Sequence, residues 1–316
     1  MNIIGGYSSS DYLLSIVIPM FNEESGAQEC FTRLQSVLEK MACRYELLFV
    51  NDGSTDSTLG ILKAARETDN NVRIIDLSRN FGHQIAITAG LDMAKGDAVI
   101  IIDGDLQDPP ELFPELVAKW LEGHDVVHAR RRSREGETTF KRLTAAVHYR
   151  LLRQVSNVDV PVDVGDFRLL SRQAQKAFLQ LRERHRYVRG LVAWVGYKQA
   201  FVDYDRVKRF AGTTHYPLIK MLMFSLDGLA SFSVVPLRLS SVLGVLSAFT
   251  AFVYGLYALY MKFVANQAIV GWTSVVIIAL FLGGMQLLCL GIIGEYVGIL
   301  HEEIKKRPLY LVDDKY

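Results

Sequence analysis

Ala98-Val99-Ile100-Ile101-Ile102-Asp103-Gly104-Asp105-Leu106-Gln107-Asp108-Pro109-Pro110 decides the fold. A short run rich in isoleucine reads as a buried strand. It stops at two carboxylates separated by one glycine. Glycine permits a close approach of ligand and unusual dihedrals. Hard oxygen ligands of this kind suit Mg²⁺ or Mn²⁺, usually shared with substrate phosphates. A bare Asp-x-Asp is also a common solvated turn, so its neighbours decide.

Upstream, apolar runs and helical spacings alternate. Strands are expected at 13–18, 45–50, 72–77, 98–102 and 125–129, with helices at 24–41, 57–68, 82–94 and 110–122. Strands alternating with helices imply an α/β domain with a doubly wound, mostly parallel sheet. Ligands bind such sheets at the carboxyl ends of the strands. Polar groups gather there: Asn22-Glu23 after Pro19, Asn51-Asp52-Gly53-Ser54, Ser78-Arg79-Asn80, and Asp103-Gly104-Asp105. Asp52 is placed to accept hydrogen bonds from a base or ribose; Ser54, Thr55 or Asp56 can cap the next helix. Residues 130–216 are less regular. Within them Gly165-Asp166-Phe167-Arg168 sets one carboxylate between a glycine and an apolar run. Asp166 either faces an acceptor, as base or positioning group, or pairs with an arginine. Arginines cluster at 130–134, 182–189 and 206–209, where forked guanidinium groups suit phosphate oxygens.

Downstream, Leu239 to Met261 and Phe263 to Gly294 contain no charged residue. Each run exceeds the roughly 20 apolar residues a spanning helix needs. Spans are expected at about 237–262 and 270–294 within 235–298, after an amphipathic interfacial helix at 216–234. Arg206, Lys208, Arg209, Lys220 and Arg238 precede the pair; Lys305, Lys306 and Arg307 follow it. That bias predicts a multi-pass protein of the inner membrane, with domain 1–215 and tail 299–316 in the cytoplasm. Half of the 316 residues are hydrophobic and the formal net charge is +1, which does not mark a nucleic-acid binder. Cys30, Cys43 and Cys289 form no disulfide framework. Met1 to Asp11 has neither a basic nor an apolar signal region. G-x-G-x-x-G after the first strand, a P-loop and a nucleophile elbow are all absent.

The motifs together resemble glycosyltransferases of family 2, of the dolichyl-phosphate mannose synthase and bactoprenol glucosyltransferase type. The resemblance runs through Ile18-Pro19-x-x-Asn22-Glu23, Asn51 to Ser54, Ser78 to Gly82, Asp103 to Pro110, Gly165 to Arg168, Arg189-Gly190, Arg209 to Tyr216 and Gly294-Glu295-Tyr296. It implies a GT-A catalytic domain and inverting transfer of a sugar from a nucleotide-sugar to polyprenyl phosphate. UDP-glucose is the first expectation, with mannose or an aminopentose as alternatives. It implies Mg²⁺ or Mn²⁺ on Asp105 and Gln107, with Asp103 nearby. Pro19, Asn22, Glu23, Asp52 and Asp103 would contact the nucleotide-sugar. Arg131, Arg134, Arg209 and Thr214 would bind phosphate or lipid, and Asp166 would stand near the acceptor. A homo-oligomer packed through its hairpins is also implied. Asn51 replaces the first Asp of the usual Asp-Asp-Gly-Ser, and His215 stands where many relatives carry Lys. Two rivals remain: a processive polysaccharide synthase, whose Gln-x-x-Arg-Trp motif is absent, and a non-catalytic membrane scaffold that binds nucleotide-sugar or anionic lipid.

Overall fold

The computed structural model describes residues 12–41, 43–132, 164–184, 186–205, 235–264 and 271–316. Arg134, Arg209, Thr214 and the interfacial helix expected at 216–234 lie outside the described residues. Two compact units are present. One contains the described parts of 1–153 and 158–216 together with 307–316; the other contains the apolar segments between 217 and 306.

The first unit begins as expected: β1 Leu13–Met20, α1 Ala27–Lys40, β2 Arg44–Asn51, α2 Thr58–Thr68, β3 Val72–Leu77, α3 His83–Met93 and β4 Ala98–Ile101. A 3-10 turn at Pro110–Leu112 leads into α4 Phe113–Leu121, then β5 Val126–Arg131. The stretch read as irregular holds β6 Val164–Ser171, α5 Arg172–Phe178, α6 Val188–Val195 and β7 Gln199–Tyr204. Residues Val312–Lys315 form β8. The sheet order is β7-β5-β6-β4-β1-β2-β3-β8. β1 pairs in parallel with β2 and β4, β2 with β3, and β5 with β7. Only β6 and β8 run against that direction.

β1 is buried on both faces, which explains its unbroken apolar reading. Ile16 and Ile18 join Leu34, Leu38, Phe49, Phe113 and Phe167 in one core. The strand runs past Pro19 to Met20. Leu13 and Val17 offer their carbonyls to Asp97 and Ile102 on the β4 side. By the two-residue period Pro19 faces that same side. The β1–β4 ladder has ended there at Val17–Ile101, so the missing N–H breaks no rung of it.

His128 in β5 is fully buried, stacks on Phe201 at 5.4 Å between ring centroids, and places Nε2 3.1 Å from Gln199 Oε1. Burial, reinforced by the Arg168 guanidinium, pushes its pKa down to about 3. Folded His128 therefore stays neutral at pH values where the unfolded chain, near pKa 6.5, takes up a proton. Stability falls as pH drops from about 6.5 towards 3, by up to about 1.4 kcal/mol per unit. Urea melts between pH 7 and 5 should show this slope, and His128→Gln should flatten it. An equal slope in both proteins contradicts the assignment.

The second unit holds α7 Val235–Phe263 and α8 Trp272–Ile304. Ser240–Phe263 and Ile277–Ile304 are each long and apolar enough to cross a membrane. Phe249, Leu280 and Leu287 are mostly exposed, and surfaces of this kind mark a lipid or protein environment. Cys289 Sγ lies 3.7 Å from the Ser240 carbonyl, so the helices touch. α8 continues ten residues beyond the expected end at 294. Glu295, Glu302 and Glu303 interrupt an apolar run but are good helix formers. The stop comes only where Lys306 adopts φ 47°, two residues before Pro308.

Candidate active site

The register of β6 builds the centre of the site. β4 and β6 pair antiparallel as Ala98 with Ser171 and Ile101 with Arg168. Continuing that register by two residues sets Asp166 level with Asp103. A carboxylate 63 positions away in sequence thus meets the acidic turn because one strand runs backwards.

After β4 the side chains alternate. Gly104, Leu106 and Asp108 are buried, while Asp103, Asp105 and Gln107 are partly exposed. Leu106 achieves this with φ 57°, a left-handed conformation held by its burial in the core. Asp105 Oδ1 accepts the Gln107 N–H at 3.1 Å and closes the turn. A Cβ on Gly104 would lie 2.4 Å from the buried Met20 Sδ, so glycine brings the turn against the end of β1.

Asp166 is 4% exposed and heavily paired. Arg189 grips it with two bonds, Nε to Oδ1 at 3.1 Å and Nη2 to Oδ2 at 3.2 Å. Gln84 Nε2 donates to Oδ2 at 3.4 Å, and Arg168 Nη2 lies 3.5 Å from Oδ1. Arg168 is fully buried and also donates to the Gly165 carbonyl at 2.6 Å. Burial alone would raise the Asp166 pKa, but His83, Arg189 and Arg168 together hold it well below the usual carboxylate range. Asp103 goes the other way. Burial, with Asp166, Asp108 and Asp105 adding negative charge against the opposing effect of His83, raises it to about 6. His83 Nε2 stands 3.4 Å from Asp103 Oδ1 and 3.5 Å from Asp166 Oδ2, bridging the two.

These residues fit a divalent cation. Asp103 Oδ1 is buried and accepts no hydrogen bond among the described residues. Arg189 and Arg168 pair with Asp166, while His83 stands between that carboxylate and Asp103. Among the described residues no three His, Cys, Asp or Glu side chains form a metal-holding group. Two carboxylates and an amide are the incomplete oxygen set that Mg²⁺ or Mn²⁺ completes with water and substrate phosphates.

The first two strand exits form an adjoining wall. The N–H groups of Asn22 and Glu23 donate to Ser54 Oγ and Thr58 Oγ1 at 3.0 and 2.9 Å. Asn22, at φ 53°, accepts the Thr55 N–H at 2.8 Å. Asp52 is buried, and its two oxygens accept the N–H groups of Phe81 and Gly82 at 2.7 and 2.9 Å. It anchors the loop leading into α3 rather than projecting into open space. A cavity of about 530 Å³ opens beside these loops, lined in part by Phe21, Asn51, Ser54, Asp76, Ser78 and Arg79. Gly53 forms its tightest corner, with φ 66° and a virtual Cβ only 2.4 Å from the Arg79 carbonyl carbon. Gly53→Ala adds left-handed strain to a backbone clash, so the folded protein should lose about 2–3 kcal/mol or more. A thermal melt with no change in midpoint contradicts this geometry.

The structure therefore brings Asp103, Asp105, Gln107 and Asp166 together and seats Pro19, Asn22, Glu23 and Asp52 along the same edge. Arg131 stands apart in its bonding: Nε donates to Tyr204 Oη at 3.1 Å, and Nη2 lies 3.7 Å from Asp108. Tyr204 also bonds Asp108. His83 and Arg189 are central members that sequence reasoning did not assign. The motif Ser78 to Gly82 stops one residue short of His83, and Arg189 enters the sequence reading only through a basic cluster and the motif Arg189-Gly190, with no partner assigned to it.

The mostly parallel sheet with this acidic strand exit has the GT-A architecture. Residues 15–179 match Glycosyl transferase family 2, and the chain belongs to that family. It is 51% identical over 302 residues to an uncharacterized glycosyltransferase, YkcC, of Bacillus subtilis (strain 168), covering 96% of this chain and 94% of that one. It is 39% identical over 299 residues to a prophage bactoprenol glucosyl transferase homolog of Escherichia coli (strain K12), covering 95% and 98%. The bactoprenol glucosyl transferase of Shigella phage SfII is 38% identical over 299 residues, covering 95% and 97%. The likeness to this type read from the motifs is thus borne out. Among solved structures, glucosyl-3-phosphoglycerate synthase from Mycobacterium tuberculosis, with Mn²⁺, UDP-glucose and phosphoglyceric acid, overlaps 70% of this chain and 78% of its own. The TM-score is 0.49 and the identity 22%.

Proposed function

We propose that this glycosyltransferase moves a hexose from a nucleotide-sugar to the phosphate of a polyprenyl lipid, with inversion. Glucose from UDP-glucose is the first choice. The observation that carries the reading is the cluster of Asp103, Asp105 and Gln107 beside an Asp166 gripped by Arg189. The full-length likeness to bactoprenol glucosyl transferases supports the lipid acceptor.

Asp105, Gln107 and Asp103 would hold Mg²⁺ or Mn²⁺. When bound, such an ion neutralises charge on a departing diphosphate. Asn22, Glu23, Asp52 and Pro19 shape the edge that takes the nucleotide. Arg131, Arg134, Arg209 and Thr214 are assigned to the phosphates of donor and lipid. A phosphate oxygen of the lipid forms the bond to the anomeric carbon as the bond from that carbon to the diphosphate breaks, and the nucleoside diphosphate leaves. A phosphate monoester, with a second pKa of about 6, is already largely ionised near neutral pH. No strong base is required, and an Asp166 held ionised suits orientation of the acceptor.

Membrane placement follows the same logic. β8 comes after α7 and α8 in the chain, yet belongs to the same sheet as β1–β7. Two crossings return a chain to the side it left, which supports a hairpin of two spans. Arg238, Lys305, Lys306 and Arg307 flank it and support a cytoplasmic catalytic domain. The test is to incubate membranes holding the protein with polyprenyl phosphate and a panel of labelled nucleotide-sugars, then extract lipid. Label from UDP-glucose is expected. Label only from a mannose or aminopentose donor changes the sugar, and none from any donor leaves the binding-scaffold reading.

A further inference from the structure

β8 lies where it can act on the donor pocket. Its register on β3 is Ile75 with Lys315, Asp76 with Asp314 and Leu77 with Val312, with a shift between Asp76 and Leu77. Ile74 and Tyr316 exchange both backbone bonds, at 2.9 and 3.0 Å, and the Ser78 N–H donates to the Leu311 carbonyl at 3.0 Å. Asp76, Leu77, Ser78, Arg79 and Asn80 are also a wall of the 530 Å³ cavity. That wall is held at both ends, Asp76 itself also taking the Asn51 amide at 2.7 Å. Asp52 takes the amides of Phe81 and Gly82 at its far end, and β8 takes its near end.

The segment is fastened by more than its ladder. Lys63 Nζ sits 4.0 Å above the Tyr316 ring, and that ring packs on the core. Tyr310 Oη donates to Asp92 Oδ2 at 2.9 Å, where Arg182 also makes a two-pronged pair at 2.8 and 2.6 Å. Arg184 Nη1 donates to the Arg307 carbonyl at 3.0 Å. Without β8, the β3 edge would present unpaired amides and carbonyls beside the pocket. Only residues 305–311 separate the end of α8 from β8.

We propose that residues 311–316 are a positioning element of the donor site. They keep the Asp76–Asn80 wall in place for the nucleotide, and through residues 305–311 they join that wall to the chain leaving α8. This rests on the reading of the cavity as part of the nucleotide-sugar site. β8 touches no reacting atom, so its loss weakens donor binding and spares the chemical step.

The test uses the full chain in detergent, with UDP and Mn²⁺ as probe in calorimetry and steady-state transfer as second readout. Deleting residues 312–316 should raise the UDP dissociation constant and the donor KM about tenfold, a loss of about 1.4 kcal/mol. The lipid KM should be unchanged and kcat should stay within about twofold. A synthetic peptide spanning residues 309–316, added in excess, should restore binding by strand addition. If the deletion protein does not fold, Tyr316→Pro decides the matter. It removes one ladder donor and the ring, and should raise the UDP constant about threefold. Unchanged donor affinity in a folded variant, or a fall confined to kcat, overturns the proposal. Failure of the unaltered protein to bind UDP or any nucleoside diphosphate overturns the reading of the pocket instead.

Discussion

Asp105→Ala should cut transfer of labelled sugar into lipid by about 10³-fold or more, while leaving the protein folded. Asp105 lies on an exposed-side position of the turn after β4, where its Oδ1 accepts the Gln107 N–H at 3.1 Å. Losing that bond costs about 1 kcal/mol, which a domain of this size tolerates. Losing a carboxylate that seats a cation at a departing diphosphate removes several kcal/mol of charge stabilisation where charge develops. Asp105→Asn keeps the acceptor for Gln107 and isolates the charge. It should be nearly as inactive as the alanine variant. Transfer within tenfold of the unaltered protein in both variants would falsify the assignment of Asp105 to a metal.

The second large effect falls on Asp166. Asp166→Asn leaves Arg168, fully buried, without its carboxylate and removes the two-pronged partner of Arg189. Breaking a buried pair from one side is destabilising by about 3–5 kcal/mol. Transfer should fall by about 10²-fold, because Arg189 and His83 lose the group that fixes them at the acidic turn. The pH behaviour separates orientation from base catalysis. A carboxylate whose folded pKa lies below its unfolded value contributes stability above about pH 4, and that stability is lost only as pH falls through the folded value. Between pH 5 and 8 Asp166 remains ionised throughout. The rate profile should therefore contain no limb belonging to Asp166. Asp103, raised to about 6, can give a limb that moves to lower pH when Asp166→Asn removes a neighbouring charge; a separate limb near neutrality that disappears in Asp166→Asn would make Asp166 a base.

The parts legible in the sequence were those with strong local chemistry. β1 to β5 are apolar runs stopped by polar residues, and α1 to α4 show helical spacing between them. Asp103 and Asp105 are legible because they follow such a run directly, while Gln107 enters only through the family resemblance. The remaining strands hide for physical reasons. β6 carries a fully buried Arg168 that masks its apolar pattern, and its pairing partner is set by tertiary register. β8 is a polar edge strand, Val312-Asp313-Asp314-Lys315, with no apolar face to announce it. The bonds of Asp166 to Arg189 and the place of His83 between the two carboxylates need the β4–β6 register, which no spacing predicts. The departure at Asn51 also finds its reason in the fold. Its Nδ2 donates to Asp76 Oδ1 at 2.7 Å in a buried setting, where an aspartate would set a second carboxylate against Asp76.

Bound Mn²⁺ can be counted by paramagnetic resonance, in the purified protein with UDP present and again in Asp105→Ala. The acidic turn after β4, completed by the nucleotide's phosphates, should hold a single ion in the unaltered protein and none in the variant. Equal Mn²⁺ occupancy in the two proteins would contradict the placement of the cation on which the proposed chemistry depends.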